Sequence, residues 1–223
     1  MTWIKICGTT NQRDADIAIR AGANALGFIM TRSPRQVSDT AAYSIGTIVP
    51  KGVETIGVFV NEQLEILVQT ARFCRFSGVQ LHGDEDSNYV SELRSLLPRV
   101  KVVKATTVAT LDSGVRCKPD TWLLDSPAGV QRGGTGKTFD WRAAQPSIRS
   151  LQEPVILAGG LNAHNVQSAL EILQPWGVDV VSGVESYPGR KHPGLVTQFI
   201  DAVREFDSRA RAGKTTTQKG QRV

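Results

Sequence analysis

Apolar positions fall into two alternating rhythms along this chain. Short runs rich in β-branched and aromatic residues occur at Trp3–Cys7, Ala25–Met30, Thr55–Val60, Gly78–Leu81, Val100–Ala105, Trp122–Asp125, Val155–Ala158 and Val178–Val181. They read as eight strands. Between them lie amphipathic windows of helical period. The first covers Gln12–Ala21, with Gly22 placed to stop it. Others start near Ser38, Asn61, Ser87, Asp140 and Asn162, all residue types that cap helix N-termini. The fifth window, Val108–Cys117, is poorly marked. The last, Leu195–Phe206, places Leu195, Val196, Phe199, Ile200 and Val203 on one face.

Strands this short and apolar, alternating with helices, predict a parallel sheet covered on both sides. Eight repeats in roughly 205 residues match an α/β fold of the single (βα)8 TIM-barrel type, though periodicity alone leaves an open doubly wound sheet possible. No linker divides the chain, so residues 1–207 are expected to form one barrel domain.

Composition changes this picture little. Hydrophobic residues make up 40% and charged residues 21% of the chain, ordinary values for a globular domain. No stretch approaches the ~20 apolar residues that cross a bilayer. The start, MTWIKICGTT, runs straight into a strand without the pattern of a signal or transit peptide, which predicts a cytoplasmic protein with no membrane contact. Cys7, Cys74 and Cys117 form no CxxC pair and suit reduced thiols better than a disulfide frame or zinc site.

The net charge of +5 is confined to one end. From Ser208 onward the chain carries Arg209, Arg211, Lys214, Lys219 and Arg222 and no acid, leaving 21 bases to balance 21 acids in the body. Residues 208–223 therefore read as a basic, disordered, solvated tail, and no nucleic-acid partner is expected.

In a TIM barrel the chemistry sits where strands end and βα loops begin. Cys7 closes the first strand in KICG, before Gly8 and a helix start that could lower its pKa. Lys5, two residues earlier, points to the same side and would need a carboxylate partner inside a barrel. Asp125 closes the sixth strand in LLDS, an apolar setting that favours the proton-donating form a general acid needs. An N-cap or loop carboxylate is the plainer reading.

GGTGKT, Gly133–Thr138, resembles a P-loop but has Gln131 where the first glycine of that motif belongs, and it begins well past the strand. It reads as a βα loop that could close over a ligand, with Gly134 and Gly136 as hinges. LAGGLN, Leu157–Asn162, and VSGVE, Val181–Glu185, end strands seven and eight, where this fold recurrently cradles phosphate. Arg35 of SPR could grip a carboxylate through its planar fork, or be a surface arginine. Gln80 and His82 of QLHG, at the end of strand four, are counted with the substrate-binding residues; alone, His82 reads as a hydrogen-bonded structural histidine.

Taken together, KICG, SPR, GVFVN, QLHGDE, the LLDS strand, GGTGKTFDW, LAGGLN and SGVE–PG resemble the phosphoribosylanthranilate isomerases, in family order from about Trp3 to Phe206. The resemblance implies an Amadori rearrangement of N-(5-phosphoribosyl)anthranilate, in tryptophan biosynthesis, without cofactor or metal. It implies Asp125 as general acid, Cys7 as general base, Arg35 on the anthranilate carboxylate, and Gly159, Gly160, Ser182 and Gly183 around the phosphate.

Two other readings stay open. One is a sister isomerase acting on the histidine-pathway aminoaldose, whose barrels resemble one another in carrying Asp where this chain has Cys7. The other is a non-catalytic paralogue that binds a phosphorylated ligand. The sequence leaves monomer and homodimer equally open.

Overall fold

The computed structural model describes residues 1–112, 117–126 and 138–219, with side chains through residue 212. Its strands are β1 (Trp3–Cys7), β2 (Ala25–Ile29), β3 (Glu54–Phe59), β4 (Gly78–Leu81), β5 (Lys101–Thr106), β6 (Thr121–Leu124), β7 (Val155–Leu157) and β8 (Gly177–Val180). Each boundary falls within one residue of the expected position. All pair in parallel in chain order, and β8 returns to β1, so the sheet is a closed barrel rather than an open one.

Alternation along each strand sorts the residues into two layers. Ile4 and Ile6 of β1, Leu26 and Phe28 of β2, Val79 and Leu81 of β4 and Trp122 and Leu124 of β6 face outward, under the helices. Trp3, Ala25, Ile56, Val103, Leu123 and Ile156 face inward and form a separate apolar cluster inside the barrel. On β1 the inward set continues as Trp3, Lys5 and Cys7, apolar at the N-terminal end and ionisable at the C-terminal end.

The helices are α1 (Gln12–Ala21), α2 (Asp39–Gly46), α3 (Leu64–Cys74), α4 (Ser87–Leu96), α5 (Val108–Asp112), α6 (Trp141–Arg149), α7 (Val166–Leu173) and α8 (Pro193–Lys219). Gly22 ends α1 in the left-handed conformation (φ 99°) and donates to the Ala18 and Ile19 carbonyls, as the sequence predicts. Ser38 and Asp140 cap α2 and α6 through their side chains.

Three expected caps are displaced. Asn61 sits in the left-handed region (φ 50°) and turns the chain, and α3 starts only after Gln63. Asp86, not Ser87, caps α4 by accepting from Tyr89 N. Asn162 stabilises a turn by accepting from His164 N, and α7 starts after Asn165. Asx side chains serve turns as readily as caps, which is why their mere presence misplaces the start.

The sequence reading also missed a hairpin, β9 (Glu185–Tyr187) with β10 (Arg190–Lys191), turned through Pro188 and Gly189. It follows a one-turn 3₁₀ segment, Ser182–Val184. Beyond it α8 packs Val196, Phe199, Ile200 and Val203, all essentially buried, and lies against α1 and α7. Each such side chain contributes roughly 1.5–3 kcal/mol by burial. The helix does not end near Phe206. It runs through the segment expected to be disordered as far as Lys219. Ala210, Ala212 and the arginines of Ser208–Ala212 favour helix, while Gly213 and Thr215–Thr217 do not, and propensity does not explain the last turns. Arg209 there donates to Gln167 Oε1 at 2.6 Å.

Candidate active site

Closure of a parallel barrel sends the C-terminal ends of all eight strands to one mouth. Cys7 at the end of β1 and Asp125, one residue beyond β6, therefore share it. Cys7 is 3% exposed and Asp125 8%. The inward path of Cys7 is cleared by Gly27 on β2: a Cβ there would stand 2.5 Å from Cys7 Sγ and 2.8 Å from Lys5 Cε.

Lys5 finds the carboxylate partner a buried cation requires. Its ammonium lies 3.2 Å from Asp179 Oδ1, on the neighbouring β8, and donates to Gln80 Oε1 at 2.8 Å. Burial opposes its charge, but Asp179 and Cys7 more than offset this and hold the Lys5 pKa above the ordinary lysine value. The expected lowering of the Cys7 pKa is not found. Burial pushes the thiol up, with Lys5 and then Lys191 pulling the other way. The helix start that was to lower it lies beyond the loop, at Gln12.

Asp125 is less apolar in its surroundings than its strand suggests. Oδ1 accepts from Ser126 N at 2.7 Å, and Oδ2 lies 3.3 Å from His82 Nε2. The other imidazole nitrogen, Nδ1, is 3.0 Å from Gln80 Nε2. Gln80 and His82, expected among the substrate-binding residues, thus join Lys5 to Asp125 across the barrel. Glu85 stiffens the loop beneath His82 by accepting from Asn61 N and Gly83 N while paired with Lys104.

The loops after β7 and β8 meet at the mouth. Gly159 (φ 82°) and Gly160 (φ 65°) both take the left-handed conformation. A Cβ on Gly159 would strike Ser126 Oγ at 2.2 Å, and one on Gly183 would strike Leu161 O at 2.0 Å. Only glycine lets these two loops and the Asp125 loop approach so closely. Ser182 and Gly183 lie in the 3₁₀ turn, where Gly183 stands against Leu161 and Asn162 of the loop after β7.

Arg35 is not a loose surface arginine. Its Nε donates to both Glu185 oxygens, at 3.1 and 3.0 Å, and Nη2 donates to Oε2 at 2.8 Å. Glu185 also receives Lys191 Nζ at 3.1 Å, and Lys191 donates further to the Cys7 and Val181 carbonyls. Burial pushes the Lys191 pKa down, against the pull of Glu185. Lys191 and the hairpin that carries it escaped the sequence reading, although the Pro-Gly turn in ESYPGRK is a hairpin signal. The GGTGKT loop is outside the described residues apart from Thr138. Among the described residues no three His, Cys, Asp or Glu side chains are grouped to hold a metal ion, and no helix is long and apolar enough to cross a membrane.

A closed (βα)8 barrel with a thiol, a carboxylate and an arginine at its C-terminal mouth holds the kinds of group that acid–base chemistry uses, at the end where this fold places it. The comparisons narrow the class. The sequence model of the N-(5'phosphoribosyl)anthranilate (PRA) isomerase family matches residues 4–202. The N-(5'-phosphoribosyl)anthranilate isomerase of Moorella thermoacetica is 40% identical over 208 residues, covering 93% of this chain and 92% of the relative. That of Pelobacter propionicus is 38% identical, covering 93% and 98%. The crystal structure of the Thermotoga maritima phosphoribosyl anthranilate isomerase superposes with a TM-score of 0.81 at 36% identity, covering 92% of this chain and all of the other. The chain belongs to the phosphoribosylanthranilate isomerase family.

Proposed function

We propose that this protein converts N-(5-phosphoribosyl)anthranilate to 1-(2-carboxyphenylamino)-1-deoxyribulose 5-phosphate in the cytoplasmic pathway to tryptophan. The observation that carries the reading is the placement of Cys7 and Asp125 at strand ends on one barrel mouth, beside the paired glycine loops. A related isomerase of 34% identity and TM-score 0.77 has been crystallised with reduced 1-(o-carboxyphenylamino)-1-deoxyribulose 5-phosphate, which supports the same ligand class here.

In this reading Asp125 gives its proton to the furanose ring oxygen. The C1–O bond breaks as the anthranilate nitrogen lone pair forms an iminium. Cys7, as thiolate, removes the proton from C2; the C–H electrons become the C1=C2 bond and the iminium pair returns to nitrogen. The enolamine then tautomerises to the ketone. Each proton removed is returned within the cycle, so internal acid–base chemistry suffices.

Gly159, Gly160, Ser182 and Gly183 hold the phosphate through backbone N–H groups of the two loops. Arg35 takes the anthranilate carboxylate, sharing its guanidinium with Glu185 or exchanging that partner, so substrate meets an arginine already aligned. Anchors at both ends of the substrate hold C1 and C2 between acid and base.

The test is to supply purified protein with N-(5-phosphoribosyl)anthranilate and, separately, with the histidine-pathway aminoaldose. Turnover of the first with little of the second is expected. Turnover of only the aminoaldose, or of neither, would overturn the reading.

A further inference from the structure

Resting on Asp125 as the general acid, we infer that Gln80 and His82 are positioning residues that set how Asp125 is presented. The side chains run Asp179, Lys5, Gln80, His82, Asp125, from β8 across the interior to the end of β6.

Each link constrains the next. Lys5 has only donors, so the Gln80 oxygen must be the atom that meets it. The Gln80 amide nitrogen then faces His82 Nδ1 and can only donate, which makes Nδ1 the acceptor. The imidazole proton sits on Nε2, 3.3 Å from Asp125 Oδ2. With Ser126 N on Oδ1, both Asp125 oxygens then face donors. That arrangement stabilises the carboxylate left once the proton has moved to the ring oxygen. A contact of 3.3 Å in the unliganded site has room to shorten as charge develops.

The chain does not conduct protons between Cys7 and Asp125. An amide cannot take a proton at one end and release another at the other without passing through a high-energy imidic form. Its effect is orientational: Asp179 and Lys5, fixed inside the barrel, dictate through one amide which nitrogen of His82 bears hydrogen. Gln80 is 1% exposed, and both ends of its amide are taken up by Lys5 and His82.

The test reads the tautomer directly. The full-length chain contains three histidines, so ¹⁵N-imidazole NMR is tractable, with His82→Gln assigning the His82 signals by their loss. In the wild type, Nδ1 should show the shift of a bare nitrogen and Nε2 that of a protonated one. Gln80→Glu is nearly isosteric but accepts only. It should draw a proton onto Nδ1. If Nε2 then loses its hydrogen, Asp125 keeps its proton. If Nε2 retains it, the imidazolium holds Asp125 ionised. Either state impairs the acid, so kcat should fall at least about 10-fold with KM little changed; a wrong tautomer in a hydrogen-bonded triad costs up to about 10⁴-fold.

A wild-type His82 with hydrogen on Nδ1, or an exchanging mixture, would overturn the inference, whether or not Gln80→Glu folds. So would unchanged kcat in a folded Gln80→Glu protein. An active Asp125→Asn enzyme would instead overturn the acid assignment, a separate outcome.

Discussion

The barrel has two interiors that obey different rules. The outer layer, between sheet and helices, is apolar and continuous: Leu26, Phe28, Leu81, Leu124, Leu170 and Phe199 are each at most 1% exposed, and each touches neighbours that resemble it. The space inside the strands is small and divided. Its N-terminal half holds Trp3, Ala25, Ile56 and Leu123, and its C-terminal half holds Lys5, Gln80, Asp179 and Asp125. Fold is determined by the first layer through many interchangeable contacts. The residues proposed to act lie in the second, held by few contacts, each between one particular donor and one particular acceptor.

The sharpest break in this comparison is one atom in the inner layer. Asp125→Asn should lower kcat by about 10²–10⁴-fold, the span for losing a positioned acid, while thermal unfolding stays near wild type. If the variant unfolds instead, Asp125 belongs with the structural residues.

Next in size is the ion pair beneath it. Lys5→Met leaves Asp179 buried without its cation and should cost about 3–5 kcal/mol in denaturant unfolding. Adding Asp179→Leu should recover much of that loss, because a buried pair is often replaceable by apolar side chains of similar volume. A single variant as stable as wild type would show that water already reaches the pair. In the outer layer Leu170→Ala should cost a comparable 2–5 kcal/mol yet leave kcat unaltered, since only packing is lost.

A smaller effect belongs to Arg35. Arg35→Met should weaken binding of a product analogue by about 1.5–3 kcal/mol, measured by calorimetry, with the acid and base untouched. Unchanged affinity would confine Arg35 to its Glu185 pair. The smallest effect is at the chain's end. Removing residues 208–223 deletes an exposed Arg209–Gln167 contact, worth at most about 1 kcal/mol as a surface interaction, so melting and activity should barely change. A loss of several degrees would show that the end of α8 supports the barrel.

The same contrast explains what could be read from the chain alone. Outer-layer periodicity is local, and Ile4–Ile6, Val79–Leu81 and the α8 face are visible within a few residues of sequence. The position of Cys7, Asp125 and the loops at Gly159 and Gly183 at strand ends was legible because the strands themselves are local patterns. The partners were not. Lys5 meets Asp179 across 174 positions and Lys191 meets Cys7 across 184, separations no spacing rule spans. Lys191 was hidden further by lying on a hairpin that interrupts the strand–helix rhythm. The extension of α8 past Phe206 was not read because a basic stretch poor in large apolar residues was taken as a sign of disorder.

The role of Cys7 as the base is tested most directly by one steady-state measurement on Cys7→Ser. A hydroxyl of similar shape should leave KM for N-(5-phosphoribosyl)anthranilate within a few-fold but, being a far weaker acid than a thiol and subject to the same burial that raises the Cys7 pKa, should supply little base. The expected result is a fall in kcat on the order of 10²–10⁴-fold. Turnover near that of the wild type would remove Cys7 from the mechanism.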